Sequence, residues 1–379
     1  MASKQFEFRV PRVVIAGYDA LTRLAAEVRS VGGRKGLVVT DPGVAKSGVL
    51  EKVTKPLAAD GIAFEVFDQV QPEPPIACAE AALAALRKAG ADFVIGVGGG
   101  SSMDVSKVIA MLAVNGGDAR QYFGEGKVPK RGLPTVLIPT TAGTGSEVSP
   151  IAMLTDPAEH LKKGIVSWNI LADVAVVDPE MSRTTPPRVT AATGMDALTH
   201  AIEGMFSVMA NPVCDGICLE SAHLIVKYLP RAFKNPDDME AREGMAVASM
   251  MAGMVLGNSS VTIVHALAYP LGARYNVPHG VANSVMLVSV MEFNKDVCRL
   301  ALERLAEAMG ASPSADIAIE TVRRLSREVG MNIPLRELGV TADVLHDMAV
   351  DTSKISRLMA KNPKRATVED LEAMYRSVF

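Results

Sequence analysis

The sequence predicts an α/β domain built on a parallel sheet, followed by an all-α domain. Three observations lead there. The first half alternates short β-branched runs with amphipathic helical stretches, strand signals nearly vanish beyond Pro186, and 379 residues exceed the roughly 250 to 300 that a single core sustains.

In chain order, "RVVIAG" is followed by "DALTRLAAEV", "GLVVT" by "GVLEKVTKPLAADG", "AFEVF" by "IACAEAALAALRKAG", and "DFVIGVGGG" by "SSMDVSKVIAMLA". Strand and helix in this rhythm give a parallel sheet, because parallel neighbours need a long crossover and a helix supplies it. After "LPTVLIPTT" come three strand-like pieces with little helix between them, "IAMLT", "GIVSW" and "DVAVVD". The apolar period then turns helical, with helices expected at 187–208, 212–228, 237–256, 280–291, 296–309, 313–329 and 367–377, punctuated by Pro and Gly. The change falls in "SRTTPP", residues 182–187, so domains are expected at 1–185 and 186–379.

A formal net charge of −3, with no local run of Lys or Arg, gives no electrostatic footprint for nucleic acid or an anionic membrane. Small molecules are the expected partners. Nothing near Met1 has the apolar core of a signal peptide and no uninterrupted apolar run could span a bilayer, so a cytoplasmic location is expected. The four cysteines are scattered, and a chain of this size needs no disulfide staples. Cys214 and Cys218, one helical turn apart, are either half a metal site or small apolar residues on a helix face, and carry no assigned function.

"VIGVGGGSSMDVSK" is a buried strand, then glycines, then a helix start. Consecutive glycines let backbone N–H groups approach a ligand, and the N-terminus of the following helix carries partial positive charge, which suits a pyrophosphate. The spacing G-x-G-x-x-G is not met, since Ser101 stands where the third glycine should. Asp41 ends an earlier strand in "VVTDPG", where a carboxylate either accepts hydrogen bonds from an adenosine ribose or caps the next helix. "IPTTAGTGSEVSP", residues 138–150, follows another strand and offers many hydroxyl donors with little bulk.

"ATGMDALTHAIEG" sets Asp196 and His200 four residues apart on a helix, so their side chains stand one above the other, either chelating one ion or sharing a local hydrogen bond. "VHALAYPLGARYNVPHG" adds His265 at the start of a helical stretch and His279 at the start of the next. One carboxylate and three imidazoles form a set of plausible charge for Fe(II) or Zn(II). His160, His223 and His346 stand in polar or ordinary surroundings and are left out.

"GVGGGSSMD", "PTTAGTGSE", "TGMDALTHAIE" and "HALAYPLGARYNVPHG", in this order and spacing, resemble the iron-containing, or group III, alcohol dehydrogenases over nearly the whole chain. The resemblance implies an N-terminal dinucleotide-binding domain, a helical C-terminal metal-binding domain of the dehydroquinate synthase-like fold, and an active site between them. It implies metal ligands at Asp196, His200, His265 and His279. It implies cofactor contacts at Gly98, Gly99, Gly100, Ser101 and Ser102 with Asp104 close by, at Thr140, Thr141, Thr144 and Ser149, and at Lys162, with Lys163 leaving the register open by one. Asp41 matches the acidic residue that accompanies NAD preference. Many members carry a further histidine four residues after the first ligand of the third motif; here it is Tyr269, whose unperturbed pKa of roughly 10 makes a poorer shuttle at neutral pH than an imidazole near 6.5.

The resemblance implies reversible hydride transfer between NAD(H) and a short alcohol or aldehyde, with Fe(II), or Zn(II), polarising the substrate oxygen at His265 and His279 and Tyr269 facing the substrate. It further implies a homodimer or larger homo-oligomer. Arg274 is a candidate for reading an anionic tail. Two rivals are a lyase like 3-dehydroquinate synthase, which regenerates its NAD in every turnover, and a non-catalytic relative.

Overall fold

The computed structural model describes residues 5–158 and 161–379, so His160 lies outside the described residues. The chain forms two compact units, Val10–Thr185 and Pro186–Phe379, and the segment ending at Arg9 groups with the second.

The first unit contains strands β1 (Val13–Ala16), β2 (Lys35–Val39), β3 (Ala63–Phe67), β4 (Phe93–Gly98), β5 (Gly124–Glu125), β6 (Thr135–Pro139), β7 (Ile151–Asp156), β8 (Leu161–Val166) and β9 (Val174–Val177). Its helices are α1 (Leu24–Ser30), α2 (Pro42–Lys46), α3 (Val49–Ala59), α4 (Ile76–Ala89) and α5 (Gly100–Asn115). Six strands make one parallel sheet in the order β1-β9-β6-β4-β2-β3. The inner strands β4, β6 and β9 are buried along their whole length, as their near-continuous apolar sequences require when helices cover both faces, whereas edge strand β3 is mostly exposed. From β2 the chain steps outward to β3, then returns to place β4 on the other side of β2. The sheet order therefore reverses between β2 and β4, and ligands of open α/β sheets bind at the carboxyl ends of such strands. "IAMLT" and "GIVSW" leave the main sheet: β7 and β8 pair antiparallel, and the two-residue β5 joins β8.

The second unit is helical: α6 (Pro187–Phe206), α7 (Pro212–Lys234), α8 (Met239–Asn258), α9 (Ile263–Tyr275), α10 (His279–Asn294), α11 (Arg299–Ala308), α12 (Ala315–Glu328), α13 (Leu345–Ser353), α14 (Ser356–Met359) and α15 (Val368–Ser377). α6 packs on α7, α8 and α10, and α10 also packs on α9. Among the described residues no single helix is long and apolar enough to cross a membrane.

Two features depart from the sequence reading. α7 continues through Pro230 to Lys234, beyond the expected stop at 228. A mid-helix proline costs about 3 kcal/mol. Leu229 just before it and Ala232 two residues after it are fully buried, and Arg231 clamps Asp238 with two bonds of 2.9 Å. α13 and α14 were not anticipated, being short and lacking side-chain caps, yet they bury Leu345, Met348, Ala349 and Leu358.

Candidate active site

At the switch point of the sheet, Asp41 follows β2 and the glycine turn follows β4. Of the two roles weighed for it, Asp41 serves as the helix cap. Its Oδ1 caps α2, accepting from the Gly43 and Val44 N–H groups at 2.8 and 3.0 Å, while Oδ2 meets Ser102 Oγ at 3.5 Å across the glycine turn. Gly98 has φ +150°, and a Cβ there would stand 2.6 Å from Ser102 Oγ, so only glycine fits. Gly99 leads into α5 without a side-chain cap, which leaves its first-turn N–H groups and Ser101 available to an anion.

The hydroxyl segment lies over this turn: Thr141 stands beside Gly99 and Thr144 beside Gly100. Thr141 Oγ1 is buried with no partner in the protein, the mark of a hydroxyl awaiting a ligand. The Thr140 N–H is held by the Gly98 carbonyl at 3.0 Å. These residues fit a dinucleotide.

Asp104 and the Ser149 carbonyl belong to a buried polar anchor beneath the segment. Asp104 accepts from Ser146 Oγ at 2.6 Å and from the Met153 N–H at 2.9 Å. Lys107, one turn further along α5 and 1 % exposed, donates to Ser146 Oγ and its carbonyl at 2.7 and 2.9 Å, lies 3.5 Å from the Ser149 carbonyl and 3.3 Å from Asp104, and also bonds the Ile151 carbonyl. Asp104 is thus turned to the loop rather than to the glycines. Glu147 is buried beside it; burial pushes its carboxyl up to about 7, and the Lys107 charge offsets this only in part. Burial likewise lowers Lys107, against Asp104 and Glu147. On β8 the two candidate lysines diverge, Lys162 pairing with Glu73 at 2.6 Å and Lys163 lying 5.7 Å from the Phe123 ring centre.

In the helical unit, α6, α9 and α10 bring Asp196, His200, His265 and His279 together. His200 Nε2 lies 3.1 Å from His265 Nε2 and 3.8 Å from Asp196 Oδ1, and His279 Nε2 lies 3.9 Å from the same oxygen. Ligands at roughly 2.0–2.2 Å from one ion stand about 3.4 Å apart; Asp196, His265 and His279 offer atoms all within 4.8 Å of one another, and His200 adjoins them through His265 and Asp196. Asn283, one turn after His279, places its amide nitrogen 2.7 Å from Asp196 Oδ1 and 3.1 Å from both His265 and His279 Nε2. Three acceptors aimed at one N–H₂ group are also aimed where a cation would satisfy them better. The donor set therefore fits Fe(II) or Zn(II).

Sequence reasoning missed Glu203, although it lies on α6 one turn after His200. Fully buried, it accepts from Thr262 Oγ1 at 2.6 Å, from the Val264 N–H at 2.7 Å and from His265 Nδ1 at 2.5 Å. Its charge thereby caps the start of α9 and fixes the His265 tautomer, turning the Nε2 lone pair toward Asp196 and His279. Gly280 explains the "PHG" motif: a Cβ there would stand 2.4 Å from the Ala192 carbonyl of α6, so glycine lets α10 deliver His279 to Asp196.

The other candidates fall outside the cluster. His223 binds the Ala308 carbonyl and His346 pairs with Glu372. Cys214 and Cys218 are buried free thiols, raised above the usual range by burial, and form packing rather than half a metal site. Arg274 is spent on Asp351, so its charge is already neutralised. Tyr269, one turn after His265 on α9, packs with Val261, Ala266 and Leu358, and burial raises its phenol above the usual range.

The two sites define a dinucleotide- and metal-dependent oxidoreductase. The family model described as iron-containing alcohol dehydrogenase matches residues 11–179, and that of the C-terminal part of the Fe-containing alcohol dehydrogenase family matches 190–379. Long-chain-alcohol dehydrogenase 1 of Geobacillus thermodenitrificans is 39 % identical, over 97 % of this chain and 95 % of its own. The NAD-dependent methanol dehydrogenase of Bacillus methanolicus is 34 % identical, over 96 % and 97 %. The crystal structure of a 1,3-propanediol oxidoreductase superposes with a TM-score of 0.96 at 37 % identity, over 99 % of this chain and 100 % of that one. The chain belongs to the iron-containing alcohol dehydrogenase family.

Glu203→Gln removes the charge behind His265 and is expected to weaken Zn(II) affinity about 10- to 100-fold, measured by chelator competition. Glu147 is raised in the folded state, so its contribution is present at low pH and lost as pH rises through about 7. Glu147→Gln should therefore gain stability relative to the native chain between pH 5 and 8, by on the order of 3 kcal/mol in denaturant unfolding.

Proposed function

We propose that this chain catalyses reversible hydride transfer between NAD(H) and a short primary alcohol, diol or substituted short aldehyde, through Asp196, His200, His265 and His279 as metal ligands. The convergence of those four donors, with Glu203 behind them, carries the reading. Fe(II), or Zn(II), held there supplies Lewis acidity to the substrate oxygen, and the nicotinamide supplies or accepts hydride.

The residues of the chain do the rest. The Gly98–Ser102 turn and the α5 N-terminus receive the pyrophosphate, Asp41 the adenosine ribose, and Thr140, Thr141 and Thr144 the remaining polar edges of the cofactor. Asp104, Lys107, Ser146 and Ser149 keep that segment in place. Lys162, positioned by Glu73, offers N–H donors to the cofactor. The buried phenol of Tyr269 stays protonated at neutral pH and acts as a hydrogen-bond donor toward substrate. A cytoplasmic homodimer or larger homo-oligomer is part of the same proposal, tested by light scattering.

Anaerobic protein loaded with Fe(II) or Zn(II) should oxidise NADH with short aldehydes, and His265→Ala should lose at least 100-fold in kcat/KM. No net NADH consumption with any aldehyde would return the lyase reading. Asp41→Asn keeps the helix cap and removes the charge, so the preference for NADH over NADPH should fall at least tenfold in paired kinetics.

A further inference from the structure

We propose that a cavity on the face of α10 turned away from the metal donors binds a medium-chain carboxylate, its oxyanion held by Arg336, Ser284 and Ser326 and its chain by apolar walls. This second site is independent of hydride transfer.

The cavity encloses about 580 Å³ and lies wholly within the helical unit. That volume suits a small organic ligand. α10 packs on both α12 and α15, and the 332–336 segment closes the space beside them, tied to the end of α15 by the Leu335 N–H on the Val378 carbonyl at 2.9 Å. Val288, which lines the cavity, stands nine residues after His279, about two and a half turns along α10, and so lies on the opposite face from the metal ligand. The metal donors and the cavity share a helix without sharing a side of it.

The lining divides by chemistry. Val285, Val288, Ile333, Pro334, Met374 and Val378 supply apolar walls. Ser284, also on the lining, is 2 % exposed, and its Oγ is buried with no partner in the protein. A hydroxyl buried in this way is destabilising unless something binds it. Ser326 on α12, again 2 % exposed, donates its hydroxyl to no group among the described residues.

The charged groups sort in the same way. Glu292 accepts from Arg323 at 2.9 Å, Arg323 and Arg327 share Glu320 at 2.5 and 3.6 Å, and Asp370 accepts from the Thr367 N–H at 2.9 Å in the cap of α15. Arg336 makes no hydrogen bond or ion pair among the described residues. One guanidinium and two hydroxyls are thus left over, and an oxyanion is the group that accepts from all three. A single free cation suits a singly charged, planar carboxylate that matches the guanidinium fork, and an apolar chain behind it displaces water from the walls.

The test is calorimetric titration of Zn(II)-loaded protein, without NAD, with octanoate and with octanamide, its neutral counterpart of equal length. We expect one octanoate per chain, bound about tenfold more tightly than the amide. In Arg336→Ala the ratio should fall toward one, and in Val288→Trp, which fills the cavity, binding of both probes should be lost. Thermal unfolding checks that each variant is folded. Ser284→Ala removes only the unpartnered hydroxyl, so it should unfold no earlier than the native chain yet bind octanoate less tightly, and it serves if Val288→Trp does not fold. Failure of the native chain to bind octanoate, or equal binding of the two probes, overturns the proposal. So does octanoate binding that survives in Arg336→Ala and Val288→Trp but is lost in His265→Ala, which would place the carboxylate on the metal.

Discussion

Glu203 is a carboxylate with no solvent, and its burial is tolerable only because Thr262, Val264 and His265 all donate to it. Those three hydrogen bonds tie α6 to the first turn of α9. Asp196 and His200 lie on the same helix as Glu203, two turns and one turn back, so one rigid rod carries two donors and the group that aims a third. The fourth arrives on α10, whose approach is set by backbone contact at Gly280. The geometry of the donor set follows from helix packing more than from any single side chain.

A similar economy governs the α/β unit. A sheet whose order reverses beside β2 leaves an opening at the ends of β2 and β4, and Asp41 and the glycine turn occupy those ends. The segment after β6 is polar and irregular, and would be poorly ordered on its own. Lys107 and Asp104 reach it from α5 and bind its carbonyls and hydroxyls, so a buried ion pair holds a loop that must keep Thr141 free for a ligand. Glu147 sits in the same pocket, at a cost that its raised carboxyl records.

Much of this was legible in the sequence, for reasons that can be named. The strand and helix alternation, the change of period near Pro186 and the four donor residues all follow from local patterns, and the i, i+4 spacing of Asp196 and His200 states its own geometry. Glu203, Asn283 and Lys107 were not legible, because each acquires its meaning from a partner distant in sequence: His265, Asp196 and Ser146. Helix α7 passed through Pro230 because buried packing outweighed a local rule.

The central claim is that Asp196, His200, His265 and His279 bind one metal ion. X-ray absorption at the zinc edge of the Zn(II)-loaded protein tests it most directly. The account predicts one ion per chain with nitrogen and oxygen neighbours at about 2.0–2.2 Å, three of them imidazoles. A sulfur neighbour near 2.3 Å, or zinc that remains bound with an unchanged spectrum in a chain lacking His265 and His279, would contradict it.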